Sequence, residues 1–472
     1  MPTALLSIVR RLLLTVYLVE FHFHRNSRHK PGTGLTAALP PGTIKLLFVH
    51  CPEMSVLTSP QSWWTHRPTL FRVVSDLLAG ELALMRPGHA RRPLPWPPGL
   101  DLAADLGADS LELLGLATVM EQVLAIGCIG EDRVLAFPRL DAWVDAVAAG
   151  LDGGGDIVSF RTSGSSGAPK TCSHALADLE QEVQVLAGLF AGTRRIVGLV
   201  PSHHIYGFLF TVLLPRALGL APDAVADLRG MSPGGVARQS QAGDLVVAYP
   251  DFWQAFAPVA GELPDGVTGV SSTAPCPDEV ARAVAAGGLA RLVQVYGSSE
   301  TAGVGWRDSP DDDYRLFPYW SPVAGPAEAG AVLTRVRSDG SRADYPLQDK
   351  LAWSAPGSFR PAGRIDRAVQ VGGMNVFPGY VADVLRMHPM VEDASVRPMR
   401  PDEGQRLKAF VVPRAGVPLE GSQEAARLRA ELGAWIAERL SAPERPAAYS
   451  FGPALPRQAS GKLSDWIIDT GA

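Results

Sequence analysis

The stretch FRTSGSSGAPKT, Phe160 to Thr171, decides how this chain is read. The run before it, Asp156 to Phe160, predicts a buried strand, and the sequence from about Cys172 to Phe190 has helical spacing. Strand, Gly/Ser loop and helix in that order predict an anion-binding loop. Gly164 and Gly167 let the backbone turn and approach a ligand closely. Thr162, Ser163, Ser165, Ser166 and Thr171 offer hydroxyls, and Lys170 offers positive charge. N–H groups beside a helix N-terminus attract phosphate, so the simplest ligand is a polyphosphate. The G-x-x-x-x-G-K-[ST] nucleotide loop is excluded, because Pro169 stands where its second glycine belongs. Proline has no N–H to donate and a fixed φ.

Bulk properties set the frame. The 472 residues give a prior of about three domains. With 46% hydrophobic and 19% charged residues the chain reads as a globular cytoplasmic enzyme. A net charge of −5 makes no electrostatic case for nucleic acid. Cys51, Cys128, Cys172 and Cys276 are scattered with no C-x-x-C pair, which argues against a disulfide framework or a zinc site. The most apolar window, Ala4 to Phe21, is interrupted by Arg10, Arg11 and Glu20 and falls short of a spanning helix. No small-residue cleavage site follows it, which argues against a signal peptide. Residues 1–60 read as an extension: unstructured, or an amphipathic anchor, or the product of a start codon assigned upstream of Met54.

From Trp63 to Gly150 the sequence reads as helical. Pro68 to Met85 has apolar residues at helical spacing, Ser110 opens a second helix within Asp101 to Ile126, and Arg139 to Leu151 forms another. Leu111, Leu114, Val119 and Leu124 are the expected buried stripe of the second helix. Asp109 and Ser110 are good cap residues, which is the plain reading of that pair. The whole string DLGADSL, however, resembles the phosphopantetheine attachment site of acyl carrier proteins. That resemblance implies a carrier-like helical bundle over 63–150, with a 4′-phosphopantetheine arm on Ser110 loaded by a phosphopantetheinyl transferase.

After the loop, strand and helix signals alternate, which implies a largely parallel sheet with ligands at its carboxyl edge. Unusual residues cluster at those strand ends: PSHHIYG from Pro201, SSTAPCP from Ser271 and VYGSSETAG from Val295. Together with TSGSSGAPK they resemble the motifs of the adenylate-forming enzymes, which include acyl-CoA synthetases, luciferases and peptide-synthetase adenylation domains. The resemblance implies that His204 lies beside the substrate carboxylate and that Ala274 and Pro275 line the acyl and adenine pocket. It implies that Tyr296 and Gly297 contact adenine, that Ser299 bonds the adenylate phosphate and that Glu300 holds Mg²⁺. Asp349 in PLQDKLAW is similar to the family's ribose-binding aspartate by its spacing, although the usual T-G-D is absent.

The last third continues the resemblance. GRIDRAVQVGG matches the family's hinge region, which implies that Arg364 contacts ribose, Asp366 is the hinge and Gly373 lines the thiol tunnel. PRQASGKL resembles the closing motif, which makes Lys462 the lysine that bridges carboxylate and phosphate.

The expected fold is therefore α/β. A shortened ligase core over 155–362 carries a small mobile C-terminal α/β domain over 363–472 and follows the all-α carrier-like bundle. The expected activity uses ATP and Mg²⁺ to activate a small carboxylic acid as acyl-AMP. The acyl group then passes to a phosphopantetheine thiol of an acyl carrier protein, in cis or in trans. The layout is similar to the ligases of xanthomonadin and aryl polyene pigment clusters, which implies a 4-hydroxybenzoate-like acid. Two alternatives stay open: a ligase that uses free CoA beside a vestigial carrier, and a non-catalytic carrier or adapter. Glu300, Arg364 and Lys462 argue against the last.

Overall fold

The computed structural model describes residues 62–468 apart from 87–88, 128–135, 137, 163–169, 262, 324–330, 366–367, 401, 416, 418–421 and 458–462. The N-terminal extension lies outside the described residues. No helix among the described residues is long and apolar enough to cross a membrane.

A 3₁₀ turn, Trp63–Thr65, leads into α1 (Arg67–Met85), α2 (Ser110–Leu124) and α3 (Leu140–Asp152). Proline opens α1 in its first turn, where the missing N–H has no helical partner to lose. A capping box starts α2: Asp109 accepts the Glu112 N–H, Glu112 accepts the Asp109 N–H, and Arg86 clamps the Glu112 carboxylate. The buried face of α2 is Leu113, Leu116, Ala117, Met120, Val123 and Leu124. Of the expected stripe only Leu124 is buried, and Leu111 is 80% exposed. A run as apolar as SLELLGLATVMEQVL offers several helical stripes, and the packing partner chooses among them.

The Gly/Ser loop joins two strands rather than a strand and a helix. β1 (Ile157–Thr162) and β2 (Lys170–Ala175) pair antiparallel, with Phe160 opposite Cys172. Cys172 and His174 of β2 point inward, and α4 (Leu176–Leu189) begins only after the hairpin closes. The helix N-terminus expected beside the loop is therefore at the far end of β2.

The main sheet starts with β3 (Arg195–Gly198), β4 (Val225–Asp227), β5 (Asp244–Ala248), β6 (Thr268–Ser271), β7 (Arg291–Ser298), β8 (Ala302–Arg307) and β9 (Tyr314–Leu316). A separate three-stranded sheet follows, made of β10 (Trp320–Pro322), β11 (Val332–Val336) and β12 (Arg342–Pro346). Then β13 (Asp349–Ala355) and β14 (Ser358–Arg364) return to the main sheet, giving nine strands in the order β4-β3-β5-β6-β7-β8-β9-β14-β13. The expected parallel pairing holds from β4 to β7. From β7 onward every pair is antiparallel, because the short β7–β8 turn cannot hold the crossover a parallel pair needs. Residues 205–217 run as a short helix, a π-helical turn and a second short helix over the parallel half.

The C-terminal part opens with a hairpin, β15 (Val369–Val371) and β16 (Met374–Val376). It continues through α5 (Pro378–Arg386), β17 (Val391–Pro398), β18 (Leu407–Pro413), α6 (Ser422–Ala437) and β19 (Ala448–Phe451). Val381, Leu385, Val411, Leu432 and Ile436 belong to a core of its own.

The helical segment expected to form a separate carrier-like bundle is instead part of the main core. One continuous apolar cluster runs from Trp63 through α1, α2 and α3 into β1, α4 and the central strands. Trp63 stacks edge-on against Phe208 at 5.2 Å. Asp76 of α1, 1% exposed, accepts the Ser202 N–H at 2.7 Å and its hydroxyl at 2.6 Å. Its other oxygen lies 2.7 Å from the Arg229 guanidinium, which also pairs with Asp227. Arg72 donates to the Thr211 carbonyl at 2.7 Å. Such a segment supplies the wall of the sheet; a carrier arm would need a domain free to leave.

A second buried carboxylate sits under β8. Glu182 of α4 is 0% exposed, and its two oxygens lie 3.0 and 3.1 Å from the Gly303 nitrogen. Burial pushes its carboxyl up to about 7, against the pull of Arg335 and the Gly303 N–H.

Both buried carboxylates carry consequences for stability. Asp76→Ala leaves the Ser202 N–H and hydroxyl without an acceptor and Arg229 short of one counter-charge. Chemical denaturation of the full chain should read a loss of about 3 kcal/mol, and a loss within ~0.5 kcal/mol would refute the anchoring role. For Glu182 the raised carboxyl means that the folded chain holds a proton more tightly than the unfolded one. Its contribution is fully present below about pH 4.5 and is lost as pH rises through about 7. Glu182→Gln should therefore flatten stability across that window and gain about 1–3 kcal/mol over wild type at pH 8, read by denaturation at matched pH.

Candidate functional site

The site forms at the carboxyl ends of β6 and β7, where the β7–β8 turn meets the β1–β2 hairpin and the β13–β14 pair. The turn from Ser298 to Ala302 is tightly determined. The Ser298 N–H donates to the Thr301 hydroxyl oxygen at 3.1 Å, and the Thr301 N–H donates to the Ser298 hydroxyl oxygen at 3.3 Å. Ala302 takes a left-handed φ of 59°, a strained state for a residue with a Cβ. Three groups hold the turn from behind. His174 Nε2 donates to the Ser299 carbonyl at 2.7 Å, Arg335 donates to the Thr301 carbonyl at 3.3 Å, and Glu182 accepts the Gly303 N–H.

Glu300 at the tip of the turn pairs with Lys170 of β2 at 3.2 Å. Burial works to raise its carboxyl, but a backbone N–H, Lys170 and Ser298 outweigh it and hold the group below the usual carboxylate range. An ionised carboxylate with one exposed lysine partner suits Mg²⁺, which takes one or two protein carboxylates and completes its shell with phosphates and water. Among the described residues no group of three or more His, Cys, Asp or Glu side chains gathers as a metal centre.

Beside the turn lies a cleft lined by Tyr296, Gly297, Ser298, Glu300, Asp349 and Arg364, with Asn375 of β16 at its edge. Asp349 opens β13 directly opposite Arg364 of β14, so the hairpin register brings the two together. The Tyr296 hydroxyl donates to Asp349 at 2.7 Å, and Arg364 lies 3.6 Å from the other oxygen of Asp349. Burial, then the Asp349 charge, pushes the Tyr296 phenol far above its usual value, so it stays a donor. A carboxylate anchored by a phenol and a guanidinium can accept hydrogen bonds from a pair of hydroxyls.

His204 precedes the short helix that begins at Ile205. Its ring is exposed by area, yet the protein around it lowers its proton affinity by lost solvation, so it is neutral near pH 7. The glycine of PSHHIYG is required by packing: a Cβ on Gly207 would lie 1.9 Å from the Pro201 carbonyl oxygen. In the acyl loop Ser272 donates to the Val295 carbonyl at 2.8 Å, and Thr273 has a left-handed φ of 76°. Ala274 is half-buried and Pro275 is exposed. Gly373, at φ +76°, closes the β15–β16 turn against this loop; a Cβ there would lie 2.6 Å from the Thr273 hydroxyl oxygen.

The structure thus brings together Lys170, Tyr296, Gly297, Ser299, Glu300, Asp349 and Arg364, with Gly373 against the acyl loop. Thr162 is the last residue of β1. Ser163, Gly164, Ser165, Ser166, Gly167, Asp366 and Lys462 lie outside the described residues. Ser110 is the exposed first residue of α2, beside the capping box. The sequence reading missed His174, Glu182, Arg335 and Asn375. Glu182 had a signal, since it falls among Leu179, Val183 and Leu186 on the apolar face of α4. His174 had none while Cys172 onward was read as helix.

Comparison with known proteins places the chain in a family. Residues 157–325 match the AMP-binding enzyme family and residues 380–462 match the AMP-binding enzyme C-terminal domain. The 4-coumarate–CoA ligase of Cereibacter sphaeroides is 39% identical over 391 residues, spanning 81% of this chain and 88% of that protein. The 4-coumarate–CoA ligase of Halorhodospira halophila is 36% identical over 402 residues, spanning 84% of this chain and 98% of that protein. In fold, the chain is similar to the amide bond synthetase McbA of Marinactinospora thermotolerans, with a TM-score of 0.54 at 20% identity, covering 84% of this chain and 93% of that one. With relatives matched along nearly their whole length, the chain belongs to the AMP-binding enzyme family and is an AMP-forming acid–thiol ligase.

Proposed function

We propose that this ligase activates 4-coumarate or a close para-hydroxylated aryl acid and passes it to free CoA. The acid class is supported by the names of the relatives, whose likeness extends over nearly their full length. A 4-hydroxybenzoate-like acid belongs to the same chemical class and is the first competitor. In the first step a carboxylate oxygen attacks the α-phosphorus of ATP, the bond to the β-phosphate oxygen breaks, and pyrophosphate leaves. In the second step a thiol sulfur attacks the acyl carbon, the bond to the AMP oxygen breaks, and the thiol proton passes to solvent.

The residues divide this work. Asp349 and Arg364 hold the ribose, and Tyr296 packs against adenine and braces Asp349. Lys170 and the Gly/Ser loop take the phosphates, while Glu300 anchors Mg²⁺, which offsets charge on the phosphates when bound. His204 faces the acyl carboxylate, Lys462 bridges carboxylate and phosphate, Asp366 serves as the hinge, and Gly373 lets the thiol arm approach.

The choice of free CoA over an arm on Ser110 rests on one observation, the buried Asp76 contacts that stitch the helical segment into the core. A capping box accounts for DSL without a prosthetic group. The competing acceptor, a carrier protein in cis or in trans, is supported by the exposure of Ser110 alone.

Pyrophosphate exchange across 4-coumarate, 4-hydroxybenzoate, benzoate and a fatty acid should rank 4-coumarate first. Lys462→Ala should slow that exchange at least about 10²-fold, as loss of a charge-stabilising donor does. Thioester should form with free CoA, and mass spectrometry after treatment with a phosphopantetheinyl transferase should find Ser110 unmodified. An arm on Ser110 that takes the acyl group faster than CoA would overturn the acceptor, and exchange driven best by a fatty acid would overturn the substrate.

A further inference from the structure

The β1–β2 hairpin carries the Gly/Ser loop, yet among the described residues it is a two-stranded sheet of its own and shares no ladder with the nine-stranded sheet. Side chains must set its register against the β7–β8 turn. Two polar contacts from β2 reach that turn: Lys170 to Glu300 at 3.2 Å, and His174 to the Ser299 carbonyl at 2.7 Å. Their surroundings decide which one fixes the register. The Lys170 and Glu300 side chains are 60% and 36% exposed, so water screens their pair and it holds little. His174 is 7% exposed and its bond to the Ser299 carbonyl is short, so it is screened far less.

Occupancy separates the two contacts further. Lys170 and Glu300 are the groups that phosphate and metal would claim, so their pair gives way when a metal-bound nucleotide enters. The bond from His174 uses no such atom and persists through binding. Its protonation state fits this role. Lost solvation, the largest cause, lowers the His174 pKa, so the ring is neutral, and a carbonyl only accepts, so Nε2 carries the proton.

We propose that His174 is a positioning residue for the nucleotide. It fixes the Ser299 carbonyl, and through it the Glu300 carboxylate, in register with the hairpin that bears the phosphate-binding loop. This rests on Glu300 and the hairpin being the MgATP site.

The test uses the full chain with three variants. His174→Leu removes the donor, His174→Asn keeps an N–H but falls short of the carbonyl, and His174→Gln keeps an N–H that reaches it. MgATP affinity is measured calorimetrically without acid, and thioester formation is measured from preformed acyl-AMP and CoA. His174→Leu and His174→Asn should weaken MgATP binding at least about 10-fold, and His174→Gln should stay within about 3-fold of wild type. Thioester formation should move less than about 3-fold in all three, since a merely structural role would depress both steps.

Wild-type affinity in His174→Leu, parallel loss of both steps, or no recovery in His174→Gln would each overturn the proposal. If His174→Leu does not fold, the contrast between the Asn and Gln variants decides the question in the same way. A wild-type chain that binds MgATP but exchanges pyrophosphate with no acid would sink the proposed activity alone.

Discussion

A carboxylate buried beneath a strained turn is the constraint on which the rest of this site depends. Ala302 in a left-handed conformation persists only because its neighbours leave it no other choice. Glu182 takes the Gly303 N–H on one side, Arg335 takes the Thr301 carbonyl, and a Cβ on Gly303 would lie 2.4 Å from the Glu182 carboxylate. The arrangement costs desolvation, visible in the raised Glu182 carboxyl. In return Ser299 and Glu300 project from a turn whose backbone cannot relax, and preorganised groups of this kind stabilise developing charge without moving at the moment of reaction.

The electrostatics of the rest of the cleft follow from that fixed turn. Glu300 stays ionised against burial because Lys170 and local N–H groups favour its charge, yet the Lys170 contact is exposed and easily exchanged for phosphate. Asp349 is braced more firmly, by a half-buried phenol and by the guanidinium across the β13–β14 ladder. The cleft therefore pairs a firmly braced carboxylate with an exposed charge pair. That asymmetry suits a nucleotide whose sugar is held while its phosphates react.

Much of this was legible in the sequence, for a physical reason. Strand ends that bear Gly, Ser and a single acid or base, such as VYGSSETAG and PSHHIYG, differ from ordinary turns, and a parallel sheet brings such ends to one edge. The α/β character of the C-terminal part was equally plain. What failed was decided across space. Cys172 to Ala175 has helix-compatible residues but is claimed by the β1 ladder, since tertiary pairing overrides propensity. DLGADSL reads locally as a carrier motif, and only contacts across space, the shared apolar cluster and Asp76 buried against Ser202 and Arg229, join its segment to the ligase core. His174 and Arg335 are ordinary letters in ordinary strands, and their meaning comes from the carbonyls they face.

The contact between Gly373 and Thr273 extends the same logic to the C-terminal domain. That part of the chain carries its own apolar core and also reaches the rest through contacts such as the exposed Gln405–Gln254 hydrogen bond at 2.8 Å. Thr273 is held at a left-handed φ, and its hydroxyl occupies the space a Cβ on residue 373 would need. Only a glycine lets the β15–β16 turn come this close. The residue type at 373 is thus fixed twice, by its own left-handed φ of 76° and by the Thr273 hydroxyl that it faces.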